Sequence, residues 1–97
     1  MTSLHINWLN KALKNLDDEA QYIATDSPSA AKKMVQKIYI TVELLASNPS
    51  LGRPGRIVST RELVIDNSPY IIPYRVHNRN IEILRVFHTS KKLPSRW

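Results

Sequence analysis

Three short runs between Thr60 and His88 set the strongest limit on what this chain can fold into. They read Thr60-Arg61-Glu62-Leu63-Val64-Ile65, Pro69-Tyr70-Ile71-Ile72-Pro73-Tyr74-Arg75-Val76 and Ile81-Glu82-Ile83-Leu84-Arg85-Val86-Phe87-His88. Each is rich in β-branched and aromatic residues, and Asn, Ser, Pro and Arg separate them. The pattern predicts a meander of three antiparallel strands. Tyr70, Ile72, Tyr74 and Val76 alternate and share one face of the middle strand. On the last strand, Ile81 and Ile83 are expected on one face, Leu84 and Val86 on the other. Pro73 is the misfit, because it removes a ladder hydrogen bond. Its missing N–H must fall at a bulge or in a frayed stretch.

The first half of the chain has a different period. Leu4-His5-Ile6-Asn7 alternates as a short edge strand would. From Trp8 onward, Leu9, Ala12, Leu13, Leu16, Ala20 and Ile23 recur at helical steps. Asp26-Ser27-Pro28 stops that helix and starts another, with Ser27 as N-cap and Pro28 in the first turn. Ala31, Met34, Val35, Ile38, Val42 and Leu45 form the second stripe, which ends near Ser47 ahead of Pro49. So short a link makes an antiparallel helical hairpin. Its apolar face needs a cover, and the meander supplies one. Residues 48–59 hold both glycines and two prolines and read as a loop. The expected fold is α+β: a short N-terminal strand, then a two-helix hairpin packed on a mainly antiparallel sheet that ends in the meander. The length of 97 residues fits one domain over 1–97.

Charge is distributed unevenly. Residues 1–50 carry five lysines and five acids, which cancel; residues 51–97 carry nine Lys and Arg against Glu62, Asp66 and Glu82. The whole net charge of +6 therefore sits on the strand half. Such a surface suits nucleic acid or an acidic protein partner. There is no cysteine, which excludes disulfides and thiolate metal sites. No apolar run reaches the length of a membrane span, and Met1-Thr2-Ser3 does not open a signal peptide, so the cytoplasm is the expected compartment and no membrane partner is expected.

Visible chemistry is sparse. His5, His77 and His88 lack metal-ligand spacing, so neither a metal nor another cofactor is expected. Asp17-Asp18-Glu19 reads as a solvated helix face. Gly52 and Gly55 near Arg53 and Arg56 lack the spacing and the Lys-Ser/Thr of a phosphate-binding loop. The one reaction the residues permit is RNA cleavage. That chemistry needs an acid, a base and cations for the charged transition state. An unperturbed imidazole can act as acid or base near neutrality, which makes His88 the candidate, and Arg61, Arg75, Arg85, Lys91 and Lys92 are available to hold phosphate.

Six motifs in order carry a family resemblance. They are Trp8 with Ala12 and Leu16, Asp26-Ser27-Pro28-Ser29-Ala30-Ala31, Asn48-Pro49-Ser50-Leu51-Gly52-Arg53-Pro54-Gly55, Thr60-Arg61-Glu62-Leu63, the Tyr70–Val76 run, and the Ile81–His88 run. Together they span nearly the whole chain, which resembles toxins of the RelE/ParE superfamily from bacterial type II toxin–antitoxin pairs. The resemblance implies a helical hairpin on an antiparallel sheet and a cognate antitoxin as partner, with operator DNA reached only through the antitoxin. It leaves two targets. RelE-like members cut mRNA on the ribosome, and ParE-like members inhibit DNA gyrase. RelE-like catalysis is attributed to strand lysines, a strand arginine, and a C-terminal arginine and tyrosine. Here Leu63-Val64-Ile65-Asp66 has no lysine, Pro69-Tyr70-Ile71 has no arginine, and the segment 91–97 has no tyrosine. The ParE-like branch is therefore expected: growth arrest by non-catalytic contact with gyrase. The contact residues would be Arg53, Arg56, Arg61, Arg75, Lys91, Lys92, Arg96 and Trp97. In the alternative branch, a ribosome-dependent mRNA interferase, His88, Arg61, Arg85 and Lys91 would be catalytic.

Overall fold

The middle strand of the sheet is its best-buried element, and the rest of the fold is arranged around it. In the computed structural model, which describes residues 3–97, the strands are β1 (His5–Trp8), β2 (Arg53–Pro54), β3 (Arg61–Val64), β4 (Tyr70–His77), β5 (Asn80–Ile83) and β6 (Phe87–His88). Met1-Thr2, read above for a leader, lies outside the described residues. The sheet runs β1-β5-β4-β3-β2, with β6 also on β4. β1 pairs with β5 in parallel and every other pairing is antiparallel. The sheet is thus mainly antiparallel, with the N-terminal strand at its edge as expected.

The helices are α1 (Asn10–Ala24) and α2 (Pro28–Glu43), the second followed by a 3-10 turn over Leu44–Ala46. Ser27 caps α2 as its spacing predicts: its hydroxyl accepts from the Ala30 N–H at 3.2 Å. Both stripes turn to one face of the sheet. Ala12 and Leu16 from α1, and Ile38, Val42 and Leu45 from α2 and its 3-10 turn, are buried with Leu63, Ile65, Tyr70, Ile72, Tyr74, Ile81, Ile83 and Val86. Burying an aliphatic side chain of this size contributes roughly 1.5–3 kcal/mol, so this cluster is the main source of stability.

The structure corrects the sequence reading at several places. Trp8 is the last residue of β1 and does not open α1; its ring packs on Tyr39 of α2 at 5.0 Å between centroids. Leu13 stands 41% exposed, on the rim of its stripe. Arg53-Pro54, read as loop, adds a two-residue strand to β3. The largest correction concerns the run Ile81–His88, which is two strands and not one. Tyr74 pairs with Ile83, and Ile71 with Phe87. From Ile71 to Tyr74 the strand β4 advances one residue less than its partner does from Ile83 to Phe87, so the partner carries a bulge at Leu84-Arg85. The cause lies opposite. Pro73 has no N–H to give; its carbonyl accepts from Leu84 N at 2.9 Å, and the ladder is interrupted there. The extra residue reverses the alternation, so Val86 returns to the helix side with Ile83 instead of opposing it. Its N–H leaves the ladder for Asn15 Oδ1 of α1, at 3.2 Å.

Candidate functional site

The basic residues fall into two groups at different ends of β4. The first group sits where the 48–60 segment crosses β3. Tyr74 is fully buried, and its hydroxyl takes the Gly52 N–H and donates to Pro49 O, each at 2.8 Å. Burial raises its pKa above the usual tyrosine value, so it stays protonated. A Cβ on Gly52 would lie 2.6 Å from the Tyr74 ring, which is why this position holds glycine. Glu62 is buried at 1% exposure. Its carboxylate takes two N–H groups of Arg53, at 3.0 and 3.2 Å, and the Arg56 backbone N–H at 3.3 Å. Arg61 donates to Gly52 O at 2.7 Å. Arg75 pairs with Glu82 across the hairpin.

Three of the arginines expected at an interface are therefore already committed to the fold. Arg53, Arg61 and Arg75 hold the loop and sheet together with part of each side chain, and Arg53 and Arg75 remain about half exposed. Arg61 and Arg75 line a shallow concavity of about 280 Å³ with Ser59 and Thr60. Arg56 uses only its backbone in this network, and within the described residues its side chain has no hydrogen bond or ion pair.

The second group surrounds a cavity of about 210 Å³ at the other end of β4, where β6 meets α1 and the 89–97 segment. The bulge opposite Pro73 aims Arg85 into it, and His88, Lys91, Asn15 and Trp97 complete the polar lining. Arg85 gives one N–H to Leu84 O at 2.6 Å. His88 packs edge-on to Tyr70 at 5.3 Å, and its Nδ1 lies 3.1 Å from the Ser90 N–H and 2.7 Å from the Ser90 hydroxyl. Accepting the amide leaves the proton of a neutral ring on Nε2. Tyr70 donates to Glu19 Oε1 at 2.9 Å, and Lys91 Nζ approaches Glu19 Oε2 at 3.7 Å. Burial and the Glu19 carboxylate together push the Tyr70 hydroxyl well above its ordinary range. Trp97 rests edge-on against Phe87 at 5.2 Å, and within the described residues its buried Nε1 has no acceptor.

The cavity gathers Arg85, His88 and Lys91 but not Arg61. Arg61 pairs with Tyr74, four residues along β4 from the Tyr70–His88 pair, which is on the order of 13 Å. Lys92 and Arg96 lie exposed on the 89–97 segment beside the cavity. Two residues were missed by sequence reading. Glu19, taken as solvated, takes the Tyr70 hydroxyl, and Asn15 caps the bulge. Both lie three residues after a stripe position, Ala12 or Leu16, and that phase was the available signal. Among the described residues no three His, Cys, Asp or Glu side chains come together as metal ligands. No helix among them is long and apolar enough to cross a membrane.

A helical hairpin on one face of such a sheet is the fold of toxins from bacterial toxin–antitoxin pairs. The chain superposes on a chain of the chromosomal ParDE toxin–antitoxin system from P. aeruginosa with a TM-score of 0.79 at 31% identity, covering 89% of this chain and 96% of that one. It shares the fold of a chain in the RelBE2 toxin–antitoxin complex from Mycobacterium tuberculosis, with a TM-score of 0.58 at 20% identity over 94% and 97% of the two chains. The family model described as the ParE toxin of the type II toxin–antitoxin system parDE matches residues 6–93. A protein of Sinorhizobium fredii named "Putative toxin Y4kP" is 48% identical over 94 residues, 97% of each chain. Toxin RelE2 of Caulobacter vibrioides is 33% identical over 84 residues, 87% of this chain and 93% of that one. The chain belongs to the ParE toxin family of type II toxin–antitoxin systems.

Proposed function

We propose that this ParE-family toxin arrests growth by binding DNA gyrase, without catalysis, and that a cognate antitoxin neutralises it. The observation that carries this reading is the division of its cations. Of the four residues a nuclease would use, three line the tail cavity, while Arg61 lies opposite Tyr74, four residues along β4 from that cavity, and is bonded to Gly52 O. In-line phosphate chemistry needs its acid, base and cations around one phosphorus. Two separated basic clusters suit a broad contact instead. Arg53, Arg56, Arg61 and Arg75 form one contact region, and Lys91, Lys92, Arg96 and Trp97 the other. The ParDE and RelBE2 neighbours come from toxin–antitoxin systems, which supports an antitoxin partner here.

Expression of the chain alone, followed by plasmid topology and message integrity, tests the proposal. Arrest with relaxed plasmid and intact message is expected, and co-expression of the adjacent reading frame should restore both growth and supercoiling. Arrest with normal supercoiling would exclude gyrase as target. A specific observation favours a second reading, an mRNA interferase on the ribosome: Arg85, His88 and Lys91 do share one cavity. It predicts new message ends within codons, lost in His88→Ala.

A further inference from the structure

The tail cavity is lined by donors that the fold leaves unspent. Arg85 uses one N–H on Leu84 O, and within the described residues its Nε and second amino group have no partner, an edge that matches a carboxylate. Lys91 holds Glu19 only loosely, at 3.7 Å. His88 accepts at Nδ1, which turns its remaining donor, Nε2, free of Ser90. Asn15 spends its carbonyl oxygen on Val86 N and keeps its amide N–H groups. Within the described residues Trp97 Nε1 is buried without an acceptor, and the indole stands edge-on to Phe87. A buried donor in that state is stabilised by any acceptor that a small tilt of the indole brings within reach. Among the described residues Glu19 is the one acid that reaches this group, and Tyr70 already occupies its other oxygen.

From this surplus we infer that the cavity receives a single acidic side chain, Asp or Glu, from the antitoxin. The carboxylate lies against the free edge of Arg85 with Lys91 beside it, and the Trp97 indole closes over it as N–H donor. The inference rests on the antitoxin reading above. One feature favours a protein carboxylate over a nucleic-acid phosphate. Val86, Phe87, Pro94 and the Trp97 ring lie among the donors, which suits the flanking side chains of an amphipathic segment.

The chain has two tryptophans, Trp8 and Trp97, so its indole N–H signals form a two-line NMR spectrum that Trp97→Phe assigns. The probe is a capped hexapeptide of alternating leucine and glutamate, titrated beside its leucine–glutamine counterpart and a short oligoribonucleotide. The glutamate peptide should move the Trp97 signal and leave Trp8 in place, with the glutamine peptide weaker by about tenfold or more, the loss expected for a charge-assisted pair. Arg85→Gln should weaken the glutamate peptide by a similar factor, with the Trp8 signal reporting that the fold is kept. Lys92→Gln should change it less than about twofold, as for an exposed rim charge. Equal titration by the two peptides, no movement of Trp97 at millimolar peptide, or tighter binding of the oligoribonucleotide would overturn the inference. The peptides are independent of gyrase, so a negative result here leaves the target reading to its own assay.

Discussion

The Tyr74 hydroxyl is bonded on both sides to one loop, taking the Gly52 N–H and donating to Pro49 O, each at 2.8 Å. One buried side chain of the central strand thereby fixes the 49–60 segment and the cations that project from it. Tyr74→Phe would leave an N–H and a carbonyl without their partner, at a cost of about 1–3 kcal/mol. Chemical denaturation should show that loss, and amide exchange at Gly52 should accelerate more than exchange in the helices.

Glu62 has a 0% exposed side chain and depends on Arg53 for its charge partner, while Arg53 is 49% exposed. Removing the partner of a buried charge costs about 3–5 kcal/mol when both are buried. With the arginine half in solvent, Arg53→Gln should cost roughly 2 kcal/mol. Arg56→Gln keeps the backbone N–H that Glu62 uses and should cost less than about 0.5 kcal/mol. Paired denaturation curves check the difference.

Alkaline pH should unfold the protein through two tyrosines. Tyr70 and Tyr74 both have raised pKa values in the folded state, from burial first of all. The native state therefore holds these protons more tightly than the unfolded chain does. Their contribution is complete below the unfolded tyrosine value of about 10 and is lost as pH rises toward the folded values. The melting temperature should hold to about pH 9 and fall above pH 10. Tyr70→Phe should lower stability at pH 8, by losing the Glu19 bond, yet make the alkaline fall shallower.

The β4–β5 hairpin turns through Asn78 and Arg79, both at positive φ, 48° and 65°. Such a turn favours glycine at its second central position, and a side chain there is strained. Arg79→Gly should stabilise the fold by roughly 0.5–1 kcal/mol, the left-handed penalty of about 1–2 kcal/mol less the extra entropy that glycine loses on folding. A lower melting temperature in that variant would show that the Arg79 side chain has a stabilising contact of its own.

The parts of this fold that were legible in the sequence are those set by local period. The helical stripes and the strand alternation put Ala12, Leu16, Ile38, Val42, Leu45, Tyr70, Ile72 and Tyr74 in the core, as the structure does, whereas Leu13 and Val76, read on the same faces, stand exposed at its rim. The bulge was not legible within its own strand, because Leu84-Arg85-Val86 is as β-prone as its neighbours. Its cause is Pro73, on the partner strand, and only the pairing register joins the two. The candidate site depends on that same long-range event. In a regular strand Arg85 would share the face of Ile83, which packs on the helices, and the inserted residue makes it a cavity wall instead. Glu19 was misread for a related reason: the acidic run Asp17-Asp18-Glu19 looks uniform, and only the approach of Tyr70 from β4 distinguishes its last member.

Action on gyrase by contact is open to a direct assay: antitoxin-free protein is titrated into a supercoiling reaction with purified gyrase, beside a translation reaction whose message ends are mapped. Supercoiling should be lost at a fixed ratio of toxin to gyrase, longer incubation should not lower that ratio, and the message should stay intact. Full supercoiling at large excess of folded toxin, with cut message in the parallel reaction, would contradict it.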